Sequence, residues 1–173
     1  MTTSFTRLTA AELHTCADEL AELLTDAVAG GASVGFLAPF GRAAAAAWWR
    51  SLAPSVAQGL CDLWVARTDG RLLGSIGLAY ADKPNSRHRA EVFKLIVHRE
   101  ARGQGLGRAL LTHTERAAAD AGVTLLLLDT ETDSPAELLY RSAGWTEVGV
   151  VPDHAADPAG VLRPTTFLYK RVV

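Results

Sequence analysis

Apolar positions along the chain recur with two periods. "FTRL", Phe5 to Leu8, alternates as a short strand does. Thr9 follows with Glu12 three residues on, the spacing of a capping box, and Leu13, Leu20, Leu23, Leu24 and Val28 then keep to one broad helical face. "AGGAS" ends that helix and "VGFLAP" is an apolar connection. The alanine-rich stretch around "AAAAAWWR" predicts a second helix from Arg42 to Ala57. "LCDLWVAR" and "RLLGSIGLAY" predict a hairpin about the turn "TDG", and "RAEVFKLIV" is the next strand after the loop "ADKPNSRH". A helix is predicted from about Gly105 to Ala121. "VTLLLLDTE" is almost continuously apolar, which predicts a strand buried on both faces. "SPAELLYRSAG" has Ser134 as N-cap, Pro135 at the first helical position and Gly144 as its stop. "WTEVGVV" and "TTFLYKRVV" close the chain as strands around a Pro- and Asp-rich loop.

The order β-α-α-β-β-β-α-β-α-β-β is α+β: a run of antiparallel strands, then helices crossing between strands. A length of 173 residues without an evident linker or repeat predicts one domain over residues 1–173, large enough to bury a core without staples. A formal net charge of −2 with no basic block argues against a nucleic-acid partner. Cys16 and Cys61 lie far apart without a CxxC pattern and read as reduced, buried small residues. No signal-peptide pattern opens the chain, and its longest apolar runs are too short to span a bilayer. The expectation is a cytoplasmic protein without a membrane partner. His88, His98, His113 and His154 lack metal-ligand spacing, so no metal is expected.

The chemistry concentrates in "VFKLIVHREARGQGLGRALL", Val92 to Leu111. A strand stops, a charged step follows, and glycines open onto a helix, an arrangement suited to an anion. A P-loop needs GxxxxGK and a following hydroxyl, and the helix here begins "GRALL". A dinucleotide fingerprint is a nearer rival, because Gly103 and Gly105 supply two of its glycines and Asp129 ends the following strand. Against it, Arg108 occupies the third glycine position and "HREA" separates strand from turn. A third reading is Arg102-x-x-Gly105-x-Gly107, in which helix-start amides receive a pyrophosphate, glycine leaves the backbone open, and Arg102 and Arg108 add positive charge.

That last pattern resembles motif A of the GNAT N-acetyltransferase superfamily, (Arg/Gln)-x-x-Gly-x-(Gly/Ala), in the same strand-turn-helix setting. A second motif is similar too: Ala136, Tyr140, Gly144 and Trp145 stand at the spacing of the family's motif B, with Asp133 at its usual Asn and Trp145 at its usual Phe. The resemblance implies the GNAT fold, a mixed and mostly antiparallel sheet flanked by helices with one parallel strand pair splayed apart. It implies acetyl-CoA as co-substrate. Leu95, Ile96 and Val97 would pair with the pantetheine arm, and Arg102, Gly103, Gln104, Gly105, Leu106, Gly107 and Arg108 would cradle the pyrophosphate, with Ser134 a further contact. A backbone N–H near Leu95 and Ile96 would stabilise charge on the reacting carbonyl oxygen.

The implied acceptor is a small polar amine, with a β-lactam amino-acid toxin or an antibiotic among the candidates. A protein N-terminus or lysine is an alternative, and a non-catalytic acyl-CoA sensor is another. Glu91 and Asp129 stand at the lips of the expected crevice as base, water-organiser or amine anchor, in either order, and Tyr140 stands where the family protonates the departing thiolate. Asp129 follows four leucines, which predicts desolvation. "GGASVGFL", Trp48, Trp49 and "PDHAADPAGVLRP" are candidate acceptor walls. The two tryptophans equally suit a core, and Asp153 and Asp157 equally suit turns. Strand edges exposed in this fold suggest a homodimer, although no residue points to one.

Overall fold

The computed structural model describes residues 2–172. Seven strands form one sheet: β1 (Thr3–Arg7), β2 (Cys61–Thr68), β3 (Arg71–Tyr80), β4 (Arg89–Val97), β5 (Leu125–Glu131), β6 (Thr146–Ala156) and β7 (Leu162–Arg171), in the spatial order β1-β2-β3-β4-β5-β7-β6. Every neighbouring pair is antiparallel except β4 and β5. On one face, α1 (Ala10–Ala29), α2 (Arg42–Ser51) and α3 (Ala53–Ala57) enclose a core of Leu13, Leu20, Leu24, Trp49, Leu63 and Val65. On the other, α4 (Leu106–Asp120) and α5 (Pro135–Ser142) cover Trp64, Ile76, Val92, Leu126, Leu128 and Leu168. This is the GNAT fold that the motifs imply. No helix among the described residues is long and apolar enough to cross a membrane.

Local chemistry sets most boundaries. Thr9 and Glu12 form the capping box at α1, with Thr9 N donating to Glu12 Oε2 at 2.8 Å and Glu12 N to Thr9 Oγ1 at 3.2 Å. The single helix expected from Arg42 to Ala57 is instead two, broken at Leu52. Pro54 has no N–H to give the carbonyl of Arg50, and its ring crowds that carbonyl. Both cysteines are buried and unpaired. The Pro- and Asp-rich loop is largely strand: β6 runs on to Ala156 and β7 starts at Leu162, with a register jump between Val151 and Ala155 and a left-handed Asp153 (φ 52°). Asp157 makes the turn, accepting from the amides of Ala159 and Val161 at 3.0 Å each and from Arg163. β5 differs as well. Leu126 and Leu128 are buried, but Leu125 and Leu127 on the opposite face are only half-buried, because α1 and α2 do not extend over that part of the sheet.

The parallel pair is short. Arg89, Ala90 and Glu91 pair with Leu125, Leu126 and Leu127, and from Val92 onward β4 has no partner on that edge. A bulge lies just beyond. Ser75 faces Ile96 and Gly77 faces Phe93, so Lys94 and Leu95 together oppose Ile76. Lys94 takes the left-handed conformation (φ 51°), and the fully buried Ser75 donates its hydroxyl to Lys94 O at 2.9 Å. Removing that donor leaves a carbonyl short of a partner in a part-buried place. Ser75→Ala should lower stability by about 1–3 kcal/mol, read as a reduced urea midpoint with an unchanged m-value.

Candidate active site

The turn after β4 is assembled from a 3₁₀ segment, Arg99–Ala101, and two left-handed glycines, Gly103 (φ 73°) and Gly105 (φ 81°). Gly105 is the N-cap of α4 and offers no side-chain cap. Among the described residues, none of the six consecutive amides from Gly103 to Arg108 donates to a protein acceptor; the ladder begins with Ala109 N to Gly105 O at 3.0 Å. Six unsatisfied donors at a helix start, with no acidic residue in the first turn, make a site for an anion. The glycines also have reasons within the protein itself. A Cβ on Gly103 or Gly105 meets nothing within 4 Å, so their backbone angles require glycine. At Gly107 a Cβ would lie 3.3 Å from Leu139 Cδ2 and 3.5 Å from Val97 Cγ2, so a larger residue there would make Leu139 give way by a few tenths of an ångström.

The side chains expected around the anion are partly occupied. Arg102 donates Nε to Val97 O at 2.9 Å, so one carbonyl of the segment expected to pair with pantetheine already has a partner. Arg108 reaches Ser142 at the end of α5, donating to its carbonyl at 3.1 Å. Gln104 folds back to donate to Glu100 O at 2.9 Å. Leu106 packs into the core and Ile96 is buried on the opposite face from Leu95. Ser134 is the N-cap of α5, accepting from Glu137 N at 3.2 Å. Glu137, almost fully buried, binds Asp133 N at 2.5 Å and Arg141, and these contacts outweigh its burial to hold its carboxyl below the usual range.

Sequence reasoning missed Asp26, near the end of α1. It accepts from Arg99 N at 3.0 Å and from the Arg99 guanidinium, and lies 3.9 Å from both His98 Nε2 and Arg102. Burial alone would raise its pKa, but the Arg99 hydrogen bonds and the nearby positive groups hold it below the ordinary aspartate value. Asp26 thus fastens the glycine turn to α1. A lone acidic residue on a helix carries no signal of such a long-range contact.

Glu91, Phe93, Leu127 and Asp129 share the sheet face away from α4, since Ala90, Val92, Leu126 and Leu128 point into the α4 core. Glu91 sits where the parallel pairing ends, opposite Leu127, and Asp129 lies two residues further along β5. The two carboxylates therefore flank the start of the gap. Glu91 has a raised pKa, first from partial desolvation and then from the charge of Asp129. Asp129 is exposed, contrary to the burial expected after four leucines, because its face of β5 is uncovered. Tyr140 is buried, its ring 5.8 Å from that of Trp145. Burial, and then Asp129, raises its pKa, so the hydroxyl stays protonated; among the described residues it makes no hydrogen bond to the protein.

The two tryptophans separate in role. Trp49 is core, donating Nε1 to Leu20 O at 2.9 Å, whereas half-buried Trp48 faces Phe36 edge-on at 5.4 Å. Phe36 also stacks on Phe40 at 4.3 Å. The connection carrying these rings meets the β6–β7 turn where Ala38 N donates to Pro158 O at 2.8 Å. His154 lies edge-on to Phe167, whose register partner is Asp129. His98 approaches Asp26 and His113 lies 5.1 Å from Phe5; no group of residues among those described has the make-up of a metal site.

Comparison with known proteins agrees with this geometry. The model of the acetyltransferase (GNAT) family matches residues 20–145. Human N-acetyltransferase 8B is 34% identical over 88 residues, which are 50% of this chain and 39% of that protein. The chain thus spans about two fifths of the length of such curated relatives. An N-acetyltransferase from Staphylococcus aureus Mu50 superposes over 100% of both chains with a TM-score of 0.80 at 15% identity. A protein from Salmonella typhimurium, solved with its cofactor acetyl-CoA, superposes over 100% of this chain and 95% of its own with a TM-score of 0.77 at 20% identity.

The depressed pKa of Asp26 fixes the sign of a pH effect. A carboxylate stabilised in the folded state contributes above the ordinary aspartate value, and that contribution is lost as pH falls through the lower folded-state value. Asp26→Asn should therefore cost about 1.5–3 kcal/mol at pH 7. Thermal melts of variant and wild type should converge as pH drops below about 3.8.

Proposed function

Because this chain belongs to the GNAT acetyltransferase family, we propose that it moves an acetyl group from acetyl-CoA to the amine of a small polar molecule in a ternary complex. The observation that carries the reading is the run of six unpaired amides from Gly103 to Arg108 beside a strand edge that is free from Val92 onward. The amides suit a pyrophosphate, and the free edge of β4 suits the amides of an extended arm, added as a further strand would be. Bound there, acetyl-CoA supplies an acetyl carbon activated by its thioester.

The residues then handle protons. An alkyl ammonium with a pKa of about 10.4 costs roughly 4.6 kcal/mol to neutralise at pH 7. Glu91, with its raised pKa, takes that proton directly or through a water, and Asp129 holds the amine on the same face. The amine nitrogen bonds to the acetyl carbon, the carbon–sulfur bond breaks and Tyr140 gives its hydroxyl proton to the sulfur. The second proton, lost by the nitrogen as the amide forms, passes to the Tyr140 oxygen through a water, which restores the phenol. A sensor would have no use for all three groups.

The Ala38–Pro158 bridge across the acceptor side favours a small molecule over a protein segment. Four stretches, "LTDAVAGGASVGFLAPF", "RAEVFKLIVHREARGQGLGRALL", "LLLLDTETDSPAEL" and "GVVPDHAADPAGVLRPT", resemble the tabtoxin resistance protein. That likeness suggests a β-lactam amino acid among the acceptors.

Acetyl-CoA at a hundredfold its Kd should stabilise the protein by about 2.7 kcal/mol, while NAD should not; the reverse result removes the cofactor reading. Glu91→Gln with Asp129→Asn should cut turnover by about 10²–10⁴ with that thermal shift retained. In the wild type, kcat/KM should fall as pH drops through the raised pKa of Glu91, and Glu91→Gln should abolish that acid limb. At pH 7 the same substitution should raise Tm slightly, because a carboxyl raised on folding stabilises only at low pH.

A further inference from the structure

Lys94 has no part in the scheme above, yet the bulge aims it at the acceptor face. Its Nζ lies 4.8 Å from the centre of the Trp48 ring and 5.5 Å from that of Phe36. A Cβ on Gly35 would sit 3.8 Å from the same nitrogen. Burial depresses its pKa, and the charge of Asp129 opposes that fall. Among the described residues the Lys94 ammonium makes neither an ion pair nor a hydrogen bond, although Glu91 and Asp129 lie on the same side of the sheet. Its backbone cannot easily redirect it, because the left-handed angle is set by the bulge and fastened by Ser75. A half-buried ammonium boxed by two aromatic faces keeps donors free for a ligand and is costly to leave unanswered.

We propose that Lys94 receives an anionic group of the acceptor, a carboxylate, while the amine of the same molecule lies at Glu91 and Asp129. The acceptor is then a small zwitterion of the α-amino-acid type, held at both ends across the crevice. This rests on the acetyl-transfer reading of the same crevice and narrows its substrate class. It makes Lys94 a specificity-determining residue with no share in proton transfer. Phe36 and Trp48 exclude water from the ion pair, which strengthens it.

The test uses the full chain with saturating acetyl-CoA. Thiol release is measured with the twenty common α-amino acids, with their α-carboxamides, and with short peptides bearing free N-termini. The wild type should prefer its best acid over the matching amide at least tenfold in kcat/KM, mostly through KM. In Lys94→Met, which keeps an unbranched stem between the rings, the acid-to-amide ratio should collapse to about one; in Lys94→Arg part of the preference should return. Equal use of acid and amide by the wild type, an unchanged ratio in Lys94→Met, or acetylation of peptides alone would each overturn the proposal. Where one of these overturning results appears while the acetyl-CoA thermal shift is kept and an amine is still acetylated, only the role of Lys94 has failed. Loss of the shift in the wild type removes the acetyl-transfer reading itself.

Discussion

The candidate site depends on two parallel strands that part after three residue pairs. β4 and β5 are joined from Arg89 to Glu91, and then β4 acquires one extra residue relative to β3. A bulge bends the strand that carries it and increases its twist. β4 accordingly leaves β5 and keeps its bonds to β3. Both strands point their carboxyl ends into the opening, which is where open α/β sheets hold ligands. The glycine turn with its unpaired amides follows β4 directly, and the helix with Tyr140 follows β5. Were the two strands paired to their ends, the edge from Val92 to Val97 would be spent on β5 and the two helix starts would not face a common gap.

The turn itself has an electrostatic problem, which Asp26 resolves. Six amides aligned for an anion carry partial positive charge, and the neighbouring arginines add more. Holding such a segment rigid without its ligand calls for a negative group nearby, but one placed too close would compete for the amides. Asp26 comes from α1, behind the turn, and binds the amide and guanidinium of Arg99 rather than any of the six free donors. Two arginines and a histidine approach this one carboxylate. The cluster is therefore not neutralised, and the face of the turn left open remains favourable to negative charge.

What the sequence makes legible is local. The Thr9–Glu12 box, the Ser134 cap and the two left-handed glycines announce themselves within a few residues, and so do the helix starts they define. Pro54 carried an equally local signal against a continuous helix to Ala57, outweighed by the alanine run. The misreadings elsewhere are tertiary. Four consecutive leucines look the same whether one face or two are covered, and only the lateral extent of α1 and α2 decides that Leu125, Leu127 and Asp129 stay accessible. The strand content of "PDHAADPAGVLRP" depends on pairing across a register jump opposite Pro164, and prolines and aspartates do not advertise that. Lys94 is the clearest case. In "RAEVFKLIV" it passes for an alternating polar residue of a strand, and its meaning appears only once Ser75, nineteen positions earlier, is seen holding its carbonyl.

Asp129 ties these features together through its charge. It raises the pKa of Glu91, raises that of Tyr140 and opposes the fall at Lys94. Two of these effects have the sign that acetyl transfer to a zwitterion needs: a carboxylate more willing to take a proton, and support for positive charge on a lysine beside two aromatic rings. The third keeps the Tyr140 phenol protonated but makes it a weaker acid toward the thiolate, so its donation must be coupled to the proton that the nitrogen loses. A neutral residue at position 129 would weaken all three together, even where it still accepted a hydrogen bond from the amine.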